Sequence, residues 1–334
     1  MPCRIAITLV AILASLIFSR PAWPDIQDLR TLHEQDRLVT GVGYRLAVAN
    51  GQFCRSNQPL LGFSVHDLTQ YPSAERKDAQ ATFGFGTRPL ILAVAGSSPA
   101  ASAGLRAGDE LHAIDRHTVS AAASPRGPAS YARTKEVLDT LERAAADGHL
   151  SLDIRRGERA MTIDVALETG CPTRFFVNPD DELQSKADGV YAQINSGMIR
   201  FAGDEDQVAA MLAHEFAHNI LRHRIRLEAA GVRRGIFGQL GRSARLIRQT
   251  EVEADRLSVY LMANAGYPPA AIVTFWTRYR GAHPLNQIAA PTHLGPGDRI
   301  AVVNTEIGNL TRMKAAGQQP KPSFMTGDTL PELR

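Results

Sequence analysis

Residues 211–223 read MLAHEFAHNILRH, and the group His214-Glu215-Phe216-Ala217-His218 at their centre decides how the second half of the chain is understood. On a helix, residues four apart share a face, so His214 and His218 can aim both imidazoles at one point. Glu215 can lean over the open side of that point. Two histidine ligands with a carboxylate positioned as general base form the His-Glu-x-x-His arrangement of metal-assisted hydrolysis. The helix itself is well specified. Asp204 is a candidate N-cap with Gln207 three residues on, and Val208, Met211, Leu212 and Ala217 form its packed side. The same five residues also arise by chance in amphipathic helices, so the reading needs support elsewhere in the chain.

A catalytic metal of this kind takes a third protein ligand and keeps one position open. Residues 250–269, TEVEADRLSVYLMANAGYPP, place Glu251 and Asp255 four apart on one helical face. Glu251 suits the third ligand. Asp255 suits an acceptor for the outer nitrogen of a ligand histidine, which would fix its tautomer. The alternative for this pair is a solvated acidic face. Glu253 points elsewhere on this reading. His223 lies five residues beyond His218, off the ligand face, and is read with His283 as structural or exposed.

Together the two motifs resemble the HtpX-like and CAAX-prenyl-protease-like gluzincin metallopeptidases. The resemblance runs from about Asn178 to Ile300 and rests on His-Glu-x-x-His followed by Glu251-Val252-Glu253-Ala254-Asp255 and the AGYPP that succeeds it. It implies one Zn2+ per chain, held by His214, His218 and Glu251, with Glu215 as general base. APTHLGPGDRIA, residues 290–301, resembles the family's Thr-His-Pro…Arg-Ile segment but carries Leu294 where proline is usual. His293 would then stand near the metal, as an extra ligand in a resting state or as a transition-state donor. Arg299 would support the centre by pairing with the active-site helix. The family's substrate-pairing edge strand corresponds to the stretch around Asn195-Ser196-Gly197, within a strand–turn–strand over 189–201.

The first half has a different character. LILAVAGSSPAASAGLRAGDELHAIDRHTV, residues 90–119, reads as a strand, a turn, a short alanine-rich helix and a second strand. An amphipathic helix over 134–145 and a hairpin across Arg156-Gly157-Glu158 follow. This series resembles a PDZ domain, which binds an extended peptide as an added strand. Phe83-Gly84-Phe85-Gly86 resembles a glycine-rich loop able to offer N–H groups to a peptide carboxylate; a plain turn between strands is the alternative. Residues 25–38 have helical periodicity, Tyr44–Ala49 read as a strand, and 66–82 as a surface loop.

Arg4 followed by fourteen apolar or small residues, Ile5 to Phe18, fits a secretory signal peptide and is short for a membrane span of ~20 residues. Residues 1–22 are therefore a signal peptide or an uncleaved anchor, and the protein is expected to be exported. By resemblance the compartment is a bacterial periplasm, with the protein soluble or tethered. In an oxidising compartment Cys54 and Cys171 can pair and clasp the first domain; two separate buried thiols are the alternative. A net charge of +3 is too small to imply a nucleic-acid partner. The eight arginines within 222–249 leave a bland reading, a solvated helix pair, and a functional one, contact with an anionic membrane surface or a mobile lid over the cleft.

The expected fold class is α+β. A helical linker over 23–40 precedes a mostly β PDZ-like domain over 41–170. A mainly helical zincin metallopeptidase domain with a small edge β-sheet covers 171–315, and a flexible tail 316–334. The expected function is zinc-dependent cleavage of misfolded or unassembled envelope proteins, with the PDZ-like domain capturing peptides or regulating access. The competing reading is a latent or inactive peptidase fold that serves as a PDZ-bearing chaperone or scaffold.

Overall fold

A computed structural model describes residues 26–122, 127–232, 241–283 and 294–325. The signal-peptide or anchor segment, the middle of the basic stretch, His293 and the last nine residues lie outside the described residues.

The chain opens with a long helix, α1 (Ile26–Ala49). Tyr44–Ala49, expected as a strand, are its last turns. Val39, Val42 and Leu46 recur at helical spacing and are buried, so the apolar periodicity of the first turns carries through. Nor is α1 a mere linker, since it packs against both of the sheets described below. Gly43 explains how it fits: a side chain there would run into the Phe175 ring.

The next unit is built from β1 (Gln58–Leu60), β2 (Phe63–His66), α2 (Arg76–Phe83), β3 (Leu90–Val94), α3 (Pro99–Ser102), β4 (Glu110–Ile114), β5 (His117–Thr118), α4 (Ala132–Ala144), β6 (His149–Arg156), β7 (Arg159–Ala166) and β8 (Glu168–Gly170). Its sheet runs β2-β3-β4-β6-β7, with β5 paired to β4, and β2 at one edge. The β6–β7 hairpin is in continuous antiparallel register from His149↔Ala166 to Arg156↔Arg159. Alternate residues Leu150, Leu152 and Ile154 of β6 are buried against Val137 and Leu141 of α4. Ser98 caps α3 by accepting from the Ala101 N–H at 3.2 Å, with Pro99 opening the helix. Residues 66–82, expected as a loop, contain α2, which ends where Gly84 turns left-handed at φ 78°.

β1 pairs with β8, bringing the two ends of this unit together. Just outside that pair, Cys54 and Cys171 are bonded, with Cα atoms 5.7 Å apart across a separation of 117 residues. The expected bridge is therefore present.

The last unit contains β9 (Arg174–Asn178), β10 (Ser185–Ala187), β11 (Tyr191–Asn195), α5 (Ser196–Ala202), α6 (Glu205–Ile220), α7 (His223–Ala229), α8 (Gly241–Asn264), α9 (Ala270–Ala282) and α10 (Pro296–Ala315). The sheet order is β10-β11-β9. Helix α6 is the hub, packed against α1, α8, α9 and the sheet. It is buried over most of its length, from Gln207 to Ala217 without a break. The tail is not loose throughout. Arg256 lies over the Phe324 ring at 4.8 Å and donates to Ser323, so residues up to 325 are held against α8.

Asp36 of α1 faces His66 of β2 at 3.7 Å. Burial pushes the Asp36 carboxyl up to about 8, and burial together with nearby His33 pulls His66 down to about 3. The contact therefore joins two neutral groups at neutral pH. Unfolded Asp36 releases its proton near the ordinary carboxylate value, whereas the folded group holds it to about 8. Between those values the unfolded chain binds fewer protons, so stability falls as pH rises. Asp36→Asn removes this penalty. Its melting temperature should exceed wild type by about 2 °C or more at pH 8, with the difference shrinking towards pH 4; equal shifts at both pH values would refute the assignment.

Candidate metal centre

The centre is organised by α6. Asp204 accepts from the Gln207 backbone N–H at 2.8 Å, which fixes the start of the helix as expected. His214 and His218 then stand one turn apart with their Nε2 atoms 3.2 Å from each other. Glu251 of α8 completes the triangle, with Oε2 3.5 Å from His214 Nε2 and Oε1 3.4 Å from His218 Nε2. Ligand atoms of these three residues all lie within 4.8 Å of one another.

This donor set fits zinc. Two imidazole nitrogens and one carboxylate oxygen are a catalytic ligand set that leaves one position open. Metal–donor bonds of ~2.0–2.1 Å in a tetrahedron imply donors about 3.3–3.4 Å apart, close to the nitrogen–nitrogen and nitrogen–oxygen separations found here.

Asp255 sits one turn beyond Glu251, 1% exposed. Its Oδ1 is 3.0 Å from His214 Nδ1, the outer nitrogen, which is where a tautomer-fixing acceptor belongs. Arg299 of α10 donates to Asp255 through Nε at 2.9 Å, and its guanidinium lies over the Trp276 ring at 4.1 Å. The Arg299 ion pair is thus with α8. It reaches the active-site helix only by contacting the His214 ring, which corrects the expectation of a pair with that helix.

Burial and the Arg299 charge both oppose a charged His214, but the Asp255 and Glu251 carboxylates outweigh them and hold it up at about 9. Burial keeps His218 well below the usual histidine range. Glu251 is driven up by burial, yet its contacts with His214 and His218 bring it well below an ordinary carboxylate. Glu215 is raised, chiefly by burial. Its Oε1 accepts from Ser185 Oγ at 2.7 Å. Ser185 has no local sequence signal, since it lies thirty residues upstream on the edge strand β10.

The expectation for Asn195, Ser196 and Gly197 is overturned. Asn195 ends β11, the central strand, whose edges are taken by β10 and β9. Ser196 and Gly197 begin α5, and a side chain at Gly197 would run into the Asp181 carbonyl. The free edge nearest Glu215 belongs to β10. His223 and Glu253 stay outside the triangle, as expected, but both are buried: His223 meets His218 on one side and Glu253 on the other. His293 lies outside the described residues, so its place near the metal rests on sequence resemblance alone.

A separate cavity of about 690 Å³ lies between β2, α4, α1 and β9. None of the metal-centre residues lines it. Phe63 and Val65 of β2, Leu138 of α4 and Phe175 of β9 contribute apolar wall, and Asp36, His66 and Glu75 contribute polar groups. In the Phe83–Gly86 stretch Gly84 caps α2, Phe85 is buried with Leu29 and Leu90, and Phe83 lines the cavity. The turn that leads into the cavity-side strand β2 is Leu61-Gly62.

The model of Peptidase family M48 matches residues 185–242 and 235–290. The chain is 26% identical over 133 residues to the beta-barrel assembly-enhancing proteases of Escherichia coli and Shigella flexneri, covering 31% of this chain and 27% of each relative. A Vibrio cholerae protein named for the same activity is 27% identical over 161 residues, covering 39% of this chain and 33% of the relative. The chain thus spans about a third or less of the length of these relatives.

Removing one partner of a buried ion pair strands the other. Asp255→Ala should therefore destabilise the metal-free protein by about 3–5 kcal/mol in urea unfolding. Adding Arg299→Leu should recover part of that loss, as coupled sites do. Strict additivity of the two substitutions would show that Arg299 does not depend on Asp255.

Proposed function

We propose, from the match of residues 185–290 to the model of Peptidase family M48, that this protein is a zinc-dependent endopeptidase of the bacterial envelope. The observation that carries the reading is the largely buried triangle of His214, His218 and Glu251 beside a general-base candidate. A zinc ion held there would supply Lewis acidity, polarising a scissile carbonyl and making an attacking water acidic near pH ~7. Glu215, steered by the Ser185 hydroxyl, takes the proton of that water and passes it to the leaving amine as the peptide C–N bond breaks. The Asp255–Arg299 pair keeps the His214 ring turned so that Nε2 faces the triangle. Substrate backbone pairs along β10, the edge strand that carries Ser185.

The 41–170 region acts in this reading as a PDZ-like capture module. Support comes from β2, an edge strand facing α4 across an apolar cavity, a geometry suited to adding an extended peptide as a strand. The relatives' names point to β-barrel assembly, which suggests unassembled envelope proteins as substrates. Among the described residues no helix is long and apolar enough to cross a membrane. The half-exposed Ile225 beside half-exposed Arg224 supports surface contact between the basic stretch and an anionic membrane.

The test is zinc content together with casein cleavage, for wild type and Glu215→Gln. One zinc per chain in both, with cleavage lowered about 10²–10⁴-fold in the variant, is the expected result. Zinc in both with cleavage in neither would favour the latent scaffold. No zinc in either would overturn the metal centre.

A further inference from the structure

His218 is a metal ligand only if the lone pair on Nε2 faces the metal, so its proton must sit on Nδ1. Asp255 serves the corresponding nitrogen of His214, but no carboxylate touches His218 Nδ1 among the described residues. Its neighbour is a second imidazole: His223 Nδ1 lies 2.7 Å away. The two rings are 4.7 Å apart and steeply inclined, at 78°, and His223 is 2% exposed.

A continuous helix would carry residue 223 well away from residue 218, about 100° further round per residue. The chain avoids this by ending α6 at Ile220 and placing Arg222 in the left-handed region, φ 52° and ψ 39°. A non-glycine residue seldom adopts that conformation. The turn starts α7 at His223 and swings its ring back onto His218.

A hydrogen bond between two Nδ1 atoms has two polarities. His218 donates to His223, or the reverse. The far side of His223 decides between them. Its Nε2 is 3.2 Å from Glu253 Oε2, and an ionised carboxylate only accepts. Glu253 is held ionised by Arg226, which donates at 2.7 Å, and by the Gln249 amide at 2.9 Å. His223 must therefore carry its proton on Nε2, leaving Nδ1 as an acceptor. That acceptor draws the His218 proton to Nδ1 and frees His218 Nε2 for the metal.

We propose that His223, oriented by Glu253, is the positioning residue that fixes the metal-binding tautomer of His218. The proposal rests on the zinc reading above. It gives the two histidine ligands unlike supports, a carboxylate for His214 and an imidazole backed by a carboxylate for His218.

Zinc affinity tests it, measured by competition with a chromophoric chelator in the inactive Glu215→Gln protein. Adding His223→Phe, which fills the space without an acceptor, should weaken zinc binding about 10–100-fold. Adding His223→Gln should stay within about threefold of the Glu215→Gln parent, because its amide offers an acceptor to His218 and a donor to Glu253. Circular dichroism without metal checks that both variants fold. Imidazole ¹⁵N shifts of the zinc-loaded parent give an independent readout, with protons expected on His218 Nδ1 and His223 Nε2. Unchanged affinity in the phenylalanine variant, a folded glutamine variant as weak as it, or a proton on His223 Nδ1 would each overturn the proposal. If the parent itself bound no zinc, the metal reading would fall first and take this inference with it.

Discussion

Everything in the second half of the chain answers to one constraint: α6 is buried and carries ionisable groups on the buried face. His214 and Glu215 are 8% and 6% exposed, and taking such groups from water is costly unless each has a partner. The surrounding elements supply those partners. Helix α8 brings Glu251 and Asp255, α10 brings Arg299, β10 brings Ser185, and α7 brings His223. In a centre assembled this way each side chain is held by another, most of them buried. That is what a metal ligand set needs in order to be pre-organised.

Much of the centre could be read in the sequence because helices repeat. Spacings of four residues on α6 and α8 place His214 with His218 and Glu251 with Asp255, and no tertiary information is needed to see it. The reading failed where the chain departs from a regular helix. A regular helix through Arg222 would carry His223 away from His218, but the backbone turns left-handed there and brings the two rings together. Helix periodicity sets Glu253 off the Glu251–Asp255 face but does not say what lies opposite it, which is His223. Ser185 could not be found at all, since its contact with Glu215 comes from the sheet packing onto α6.

The first half shows the same division. The β6–β7 hairpin, the Ser98 cap and α4 follow from local patterns. Tyr44–Ala49 did not, because short apolar runs fit a strand or a buried helix equally well. Burial on several sides settled α1 as a helix, with Gly43 allowing its contact with Phe175. The disulfide between Cys54 and Cys171 ties the β unit shut at the point where it meets α1. Helix α1 therefore touches β3 of one sheet and β9 of the other, and it walls the cavity that both sheet edges border. A peptide captured there would lie against the same helix that supports α6.

The most direct test of the account is zinc K-edge X-ray absorption on protein loaded with one equivalent of zinc. The account predicts two imidazole nitrogens and oxygen donors at ~2.0–2.2 Å in a four-coordinate site. Loss of one imidazole contribution should follow His214→Ala. Sulfur scattering, a six-oxygen shell, or a spectrum indifferent to His214→Ala would contradict it.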